Sequence, residues 1–225
     1  MRGTTSPSSG GEDYKTGQRS DTPECFRRLD EKIATLHPGA KVNHRWSGQV
    51  VETGDGLPYI GQSGERQFIA SGFSGNGMTF GTVAALMARD AILGVANPWT
   101  ETFDPSRKSL RTLPTYVAEN VDFPAHFVAD RFGIPDESLS TIAPSQGKVI
   151  EYEDEPVAAY RDDEGRVHLH TAICPHLGCI VAWNEAERTW DCPCHGSRFQ
   201  ATGEVFAGPA EEGLAAVSPK IVQHG

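Results

Sequence analysis

Cys174-Pro-His176-Leu-Gly-Cys179, followed after a tryptophan-bearing segment by Cys192-Pro-Cys194-His195-Gly-Ser197, decides how the C-terminal half of this chain is read. The first stretch contains a C-x-H pair and the second a C-x-x-H pair. Thiolate is a soft, anionic metal ligand, and neutral imidazole is a weaker donor that leaves more positive charge on the metal. Two of each, carried on two short glycine-bearing loops, point to a metal centre with unlike halves. Cys179 and Cys194 are two further cysteines inside the same loops. As ligands they would crowd the site; as a disulfide they would tie the loops together.

Two cysteines on one iron and two histidines on the other is the ligand set of a Rieske [2Fe–2S] cluster. On that reading Cys174 and Cys192 hold the iron that stays ferric, and His176 and His195 hold the iron that accepts the electron. The residues resemble the high-potential Rieske proteins of cytochrome bc complexes, whose loops read C-T-H-L-G-C and C-P-C-H-G-S. This chain departs from those loops only at Pro175. The resemblance runs from about Gln146 to Leu214. It implies a Cys179–Cys194 disulfide and a Ser197 hydroxyl donating to a cluster sulfur. It also implies a second donor, a tyrosine, where this chain has Phe199. Losing that donor predicts an intermediate potential within the Rieske span of roughly −150 to +300 mV. A zinc held by two cysteines and two histidines is the competing reading. It leaves Cys179, Cys194 and the Gly-Ser after His195 unexplained.

The chain has 225 residues and a formal net charge of −10. That charge argues against nucleic acid or an anionic membrane as the main partner. No apolar run is long enough to span a bilayer. The best, Thr82 to Ala96, is interrupted by Arg89-Asp90, and the Ser/Gly/Thr-rich start lacks the apolar core of a secretory signal. A cytoplasmic location is therefore expected, although disulfides are uncommon there. Cys25, in a charged stretch, reads as an ordinary free thiol. His37, His44 and His126 lie outside any ligand spacing, and His168 and His170 read as solvated strand histidines. Trp183 and Trp190 read as core packing near the cluster.

Apolar residues Phe26, Leu29, Ile33 and Leu36 predict a helix over Asp21–Leu36, ended by His37-Pro38-Gly39. Val42–Val51 alternates loosely and predicts a strand carrying Trp46. Short strands are expected at Tyr59–Gly61 and Gln67–Ala70, then a helix from Met78 to Leu93 ending at Gly94. A helix is plausible at Leu113–Asn120. Strands follow at Lys148–Ile150, Pro156–Arg161, Val167–Thr171 and Ile180–Trp183, with a hairpin turn at Asp162–Gly165. No internal repeat is evident.

Trp46-Ser-Gly-Gln-Val50-Val-Glu-Thr-Gly-Asp55-Gly-Leu-Pro-Tyr-Ile-Gly61, then Gly72-Phe-Ser-Gly75-Asn76-Gly77 opening a helix, resembles the C-terminal third of FAD-dependent oxidoreductases of the D-amino-acid oxidase and glycine oxidase type. The resemblance covers roughly Gly11 to Arg107, and some members of that family carry a C-terminal Rieske domain. It implies that Gly75, Asn76, Gly77 and Met78 approach the flavin, where a helix N-terminus offers N–H groups. Two departures stand out. No strand followed by G-x-G-x-x-G precedes the segment, so the ADP-binding fingerprint is missing. A truncated or split gene product is expected, and the chain alone should hold FAD weakly. Amino-acid-oxidising relatives also place a carboxylate-clamping arginine where this chain has Val50, so an amino-acid substrate is not expected.

The expectation is thus an α+β chain. Residues 1–20 form a flexible segment, 21–107 the flavoprotein portion, 108–143 a connector and 144–225 a small all-β Rieske domain. The function expected is electron transfer through a [2Fe–2S] cluster within an FAD-dependent oxidoreductase, partnered by a redox protein or flavin domain. A stand-alone electron carrier without enzymatic activity is the alternative.

Overall fold

The computed structural model describes residues 10–107, 126, 127, 130, 131 and 133–218. The fold is α+β, and it divides into two compact units. Residues 47–107 make one; residues 10–46 together with those from 126 onward make the other. The helix expected at Leu113–Asn120 lies outside the described residues.

In the first unit, β1 (Tyr59–Gly64) and β2 (Gln67–Ser71) form an antiparallel hairpin. Helix α2 (Gly77–Leu93) follows, and Gly94 ends it in the left-handed conformation at φ 67°, which glycine adopts without a Cβ penalty. A short helix, α3 (Thr100–Phe103), closes the unit. Ile60, Ala84, Met87 and Phe103 form its small core, with Phe73 and Phe80 packed alongside. The strand expected at Val42–Val51 does not form: residues 40–53 carry no regular structure, and Trp46, Val50 and Val51 are exposed. A strand exists only through its ladder, and among the described residues none pairs with this segment as a strand.

Two separated pieces of the sequence pattern meet here. Arg107 grips the Asp55 carboxylate with Nε and Nη2, both at 2.8 Å. Its guanidinium also donates to the carbonyls of Pro58 (3.0 Å) and Leu57 (2.6 Å) and lies over the Tyr59 ring. The Arg107 bond holds the Asp55 pKa down to about 2. A carboxylate depressed on folding stabilises above its unfolded pKa, and that stability is lost as pH falls through the folded value. Asp55→Asn should therefore cost about 2 kcal/mol at neutral pH, and the gap to wild type should close between about pH 4 and pH 2. Urea unfolding across that range checks it; a gap that does not depend on pH would refute the ion-pair account.

In the second unit, α1 (Thr22–Leu36) is anchored by its N-terminal end, where Thr22 and Cys25 are buried; Leu36 at the far end is exposed. Seven short strands follow. β3 (Gln146–Tyr152), β4 (Glu155–Arg161) and β5 (Val167–Thr171) make an antiparallel sheet in that order. β6 (Ala182–Asn184), β7 (Thr189–Asp191), β8 (Arg198–Gln200) and β9 (Val205–Ala207) make a second.

The period-two alternation of β4 serves two cores. Val157 and Ala159 join Ile142, Ile150 and Leu169 on one side. Ala158 and Tyr160 join Trp190, Phe199, Val181 and the cysteines of both loops on the other. Trp183 lies 4.7 Å from Trp190, ring to ring, and packs flat on Gly147, where a Cβ would come within 2.5 Å of the indole. The second core is the floor on which both cysteine loops rest.

Candidate metal centre

The two loops are built alike. In the first, Cys174 N–H donates to the Cys179 carbonyl (2.8 Å) and Gly178 N–H to the Cys174 carbonyl (2.9 Å). In the second, Cys192 N–H donates to the Ser197 carbonyl (2.7 Å) and Gly196 N–H to the Cys192 carbonyl (3.1 Å). Gly178 and Gly196 have φ of 79° and 76°, a conformation that side-chain-bearing residues rarely adopt. This two-fold repeat escapes a sequence comparison because each loop is only six residues long and carries its histidine at a different offset.

Each loop's first cysteine accepts two backbone N–H groups: His176 and Leu177 for Cys174, Cys194 and His195 for Cys192. Both are free thiols, buried, and in hydrogen-bond contact with each other. The bond from Cys192 lowers the Cys174 pKa, helped by the N–H groups and the Ser197 hydroxyl. The same contact, with burial, pushes Cys192 up. Two buried sulfurs thus share one site that holds one negative charge readily and a second only with a cation present.

The His176 and His195 rings lie 5.1 Å apart, nearly perpendicular. His195 is exposed and His176 partly so. Partial desolvation of the ring, and then the neighbouring His176, lower the His195 pKa, which favours the neutral form that can ligate.

Cys179 and Cys194 form a disulfide across the two loops. Their sulfurs and that of Cys192 lie within 4.8 Å of one another, but a disulfide sulfur has no thiolate to give. The donors left are two thiols and two imidazoles. Ser197, fully buried, accepts from Ala210 N–H (3.0 Å) and has its proton free for the Cys174 sulfur. These residues fit a cluster with a sulfur-held and a nitrogen-held iron.

The base of the second loop is closed by a feature the sequence reading missed. Asp191 and Arg198, cross-strand neighbours either side of the loop, form a buried ion pair at 2.9 Å. Arg198 also reaches Glu187 (2.7 Å), and Asn184 and Thr189 bond to Asp191. Charged residues flanking C-P-C-H-G-S were the available signal, but only strand pairing shows that they meet. In the first loop, Arg131 donates to the Gly178 carbonyl (2.6 Å).

His168 and His170 on β5 have structural surroundings, whereas His37 and His44 are exposed. His168 bonds to Asp162 at 3.0 Å. His170 is buried rather than solvated, its ring stacked on Gly203, because β5 is covered on that face. Gly75, Asn76, Gly77 and Met78 are exposed at the start of α2, whose first turn has no side-chain cap. Val50 lies beside Gly75.

Comparison with known proteins agrees with this geometry. Residues 135–218 match the family model of the Rieske [2Fe-2S] domain, and residues 2–91 match that of the FAD dependent oxidoreductases. The chain is 32% identical over 159 residues to the cytochrome b6-f complex iron-sulfur subunit 1 of Trichormus variabilis (strain ATCC 29413 / PCC 7937), covering 68% of this chain and 76% of that protein. The chain belongs to the Rieske iron–sulfur proteins. A further Rieske relative, YhfW of Bacillus subtilis (strain 168), named for a 2Fe-2S iron-sulfur protein, is 38% identical over 207 residues. That match covers 89% of this chain but only 40% of YhfW. Among solved structures, the plasma membrane Rieske protein PetC3 from Synechocystis PCC 6803 is 33% identical with a TM-score of 0.30, covering 32% of this chain and 74% of PetC3. The Rieske domain binds a [2Fe–2S] cluster and transfers electrons through it. Among the described residues, no helix is long and apolar enough to cross a membrane.

Proposed function

We propose that Cys174 and Cys192 hold one iron, that His176 and His195 hold the other, and that the chain serves as the electron-transfer part of an FAD-dependent oxidoreductase. The observation that carries the ligand reading is the contact between two buried free thiols beside two facing imidazoles, with the remaining loop cysteines locked in a disulfide. When bound, the cluster takes up and releases one electron at a time. The residues around it divide the work. The N–H groups of His176, Leu177, Cys194 and His195 stabilise negative charge on the sulfurs. The disulfide holds the loops in register. The exposed edge of His195 faces solvent, where a partner protein can approach.

The oxidoreductase reading is supported by the match of residues 2–91 and by the length of YhfW beyond this chain. In that larger system a flavin would take two electrons from an organic substrate. Gly75, Asn76, Gly77 and Met78 would lie nearest to it. Val50 beside Gly75 gives an apolar contact instead of a carboxylate clamp, which favours a substrate that is not an amino acid. Domain limits near 107 and 144 belong to the same proposal, as does a cytoplasmic setting with a redox protein or flavin domain as partner and no role for nucleic acid. Iron and acid-labile sulfide analysis with electron paramagnetic resonance of the reduced protein tests the cluster. A low average g value is expected; stoichiometric zinc would overturn the reading. Flavin retained only when the chain is co-expressed with a flavin-binding domain would support the second part.

Ser197 gives the sharpest test of tuning. Its hydroxyl donates toward negative charge on the sulfur side, and that charge grows on reduction. Ser197→Ala should lower the potential by on the order of 60 mV, one decade in the one-electron equilibrium. Phe199, fully buried in the same core as the loop cysteines, has no hydroxyl, and Phe199→Tyr should raise the potential. Protein-film voltammetry measures both, and a potential unmoved by either change would discard the hydrogen-bond account.

A further inference from the structure

The segment before α1 is packed on the second ligand loop. Gly17, at φ 74°, lies so close that a Cβ there would fall 2.6 Å from Pro193 N, 2.7 Å from the Asp191 carbonyl oxygen and 2.8 Å from the Cys192 carbonyl carbon. These are backbone atoms and cannot swing aside. Gln18 Nε2 donates to the Pro193 carbonyl at 3.1 Å. Tyr14 bonds to the Asn184 amide, which also donates to Asp191 Oδ2 at 2.9 Å. The arm thereby joins the buried network that closes the loop's base. Two anchors hold the arm itself: Glu12 pairs with Arg28 of α1 at 2.8 Å, and Ala186 N–H donates to the buried Thr22 hydroxyl at 3.2 Å.

We propose that residues 14–22 are a clasp that holds the 192–197 loop in its cluster-binding conformation, with Gly17 and Gln18 as positioning residues. The proposal rests on the reading of that loop as a ligand loop. The loop's own backbone bonds join Cys192 to Ser197 and to Gly196 and leave the Pro193 carbonyl to an outside donor. That donor comes from a segment matched to the FAD dependent oxidoreductases, residues 2–91, rather than from the Rieske match at 135–218. The clasp therefore makes the geometry of Cys192 and His195 depend on the flavoprotein side of the sequence. The first loop, joined to the second by the Cys179–Cys194 disulfide, has an outside donor of its own in Arg131 and serves as an internal reference.

Amide hydrogen exchange on the full chain, as apoprotein and with cluster, tests the clasp in Gly17→Ala and Gln18→Ala. Exchange at 192–197 should quicken about tenfold, the equivalent of one hydrogen bond, while exchange at 174–179 stays as in wild type. In the loaded protein the same variants should release the cluster faster and shift its g values, because a ligand loop has moved. Exchange unchanged at 192–197, or quickened equally in both loops, would overturn the clasp. Gln18→Ala removes one amide from an exposed side chain and keeps the test decisive if Gly17→Ala does not fold. A wild-type protein that assembles no iron–sulfur cluster would sink the ligand reading, and apoprotein exchange would then still decide the clasp.

Discussion

Alanine in place of Cys174, His176, Cys192 or His195 should each yield a colourless protein lacking iron and acid-labile sulfide. On the proposed ligand set each loop would supply one sulfur and one nitrogen, so every variant would remove one of the two protein bonds that an iron would have. The geometry offers no substitute. The nearest other sulfurs, Cys179 and Cys194, are bonded to each other. For the cysteines the loss goes beyond one bond: the site is a pair of buried thiols in mutual contact, and the N–H groups converging on the missing sulfur would face a cavity. His168→Ala is the control, since that β5 ring is paired with Asp162, and it should keep the full cluster. Iron and sulfide analysis with visible absorbance checks all five proteins. A histidine variant that retains a stoichiometric cluster would show that the ligand set is wrong.

Removing both disulfide cysteines should produce a subtler protein, one that assembles its cluster and then loses it. The bridge closes a separation of 15 residues, which the chain-entropy model values at about 3 kcal/mol. On the proposed ligand set the bridge gives no bond to a metal. Cys179→Ala with Cys194→Ala therefore leaves the four proposed donors in place but lets the loops part more often, since the covalent bond that joins them is gone. Cluster loss on warming should accelerate by up to about a hundredfold, the rate equivalent of that stabilisation. Loss of absorbance with time at a fixed temperature measures it. Failure to assemble any cluster would make one of the pair a ligand. Wild type kept under strong reductant should drift toward the variant's behaviour.

Much of this protein is legible in its sequence because the chemistry is local. The proposed ligands sit at fixed short spacings within two six-residue loops, and the glycines that turn those loops can be read one by one. α1 and α2, the hairpin β1–β2 and strands β3 to β5 follow from periodicity and turn residues over contiguous windows. β7, β8 and β9 are three residues each, too short for alternation to register, and exist because their neighbours pair with them. Val42–Val51 shows the converse: a plausible strand pattern with no ladder.

What the sequence by itself determined is the presence of two cysteine- and histidine-bearing loops, the glycines that turn them and the order of the two family segments. Only the tertiary structure decided which sulfurs touch, that His170 is enclosed, that Asp191 meets Arg198 and that Arg107 meets Asp55. It alone placed Gly17 and Gln18 against Pro193. The physical reason is range. Ligand spacing and backbone turns are set by neighbours along the chain, whereas burial, ion pairing and backbone-to-backbone contact arise between residues the chain brings together only on folding, up to 175 positions apart for Gln18 and Pro193.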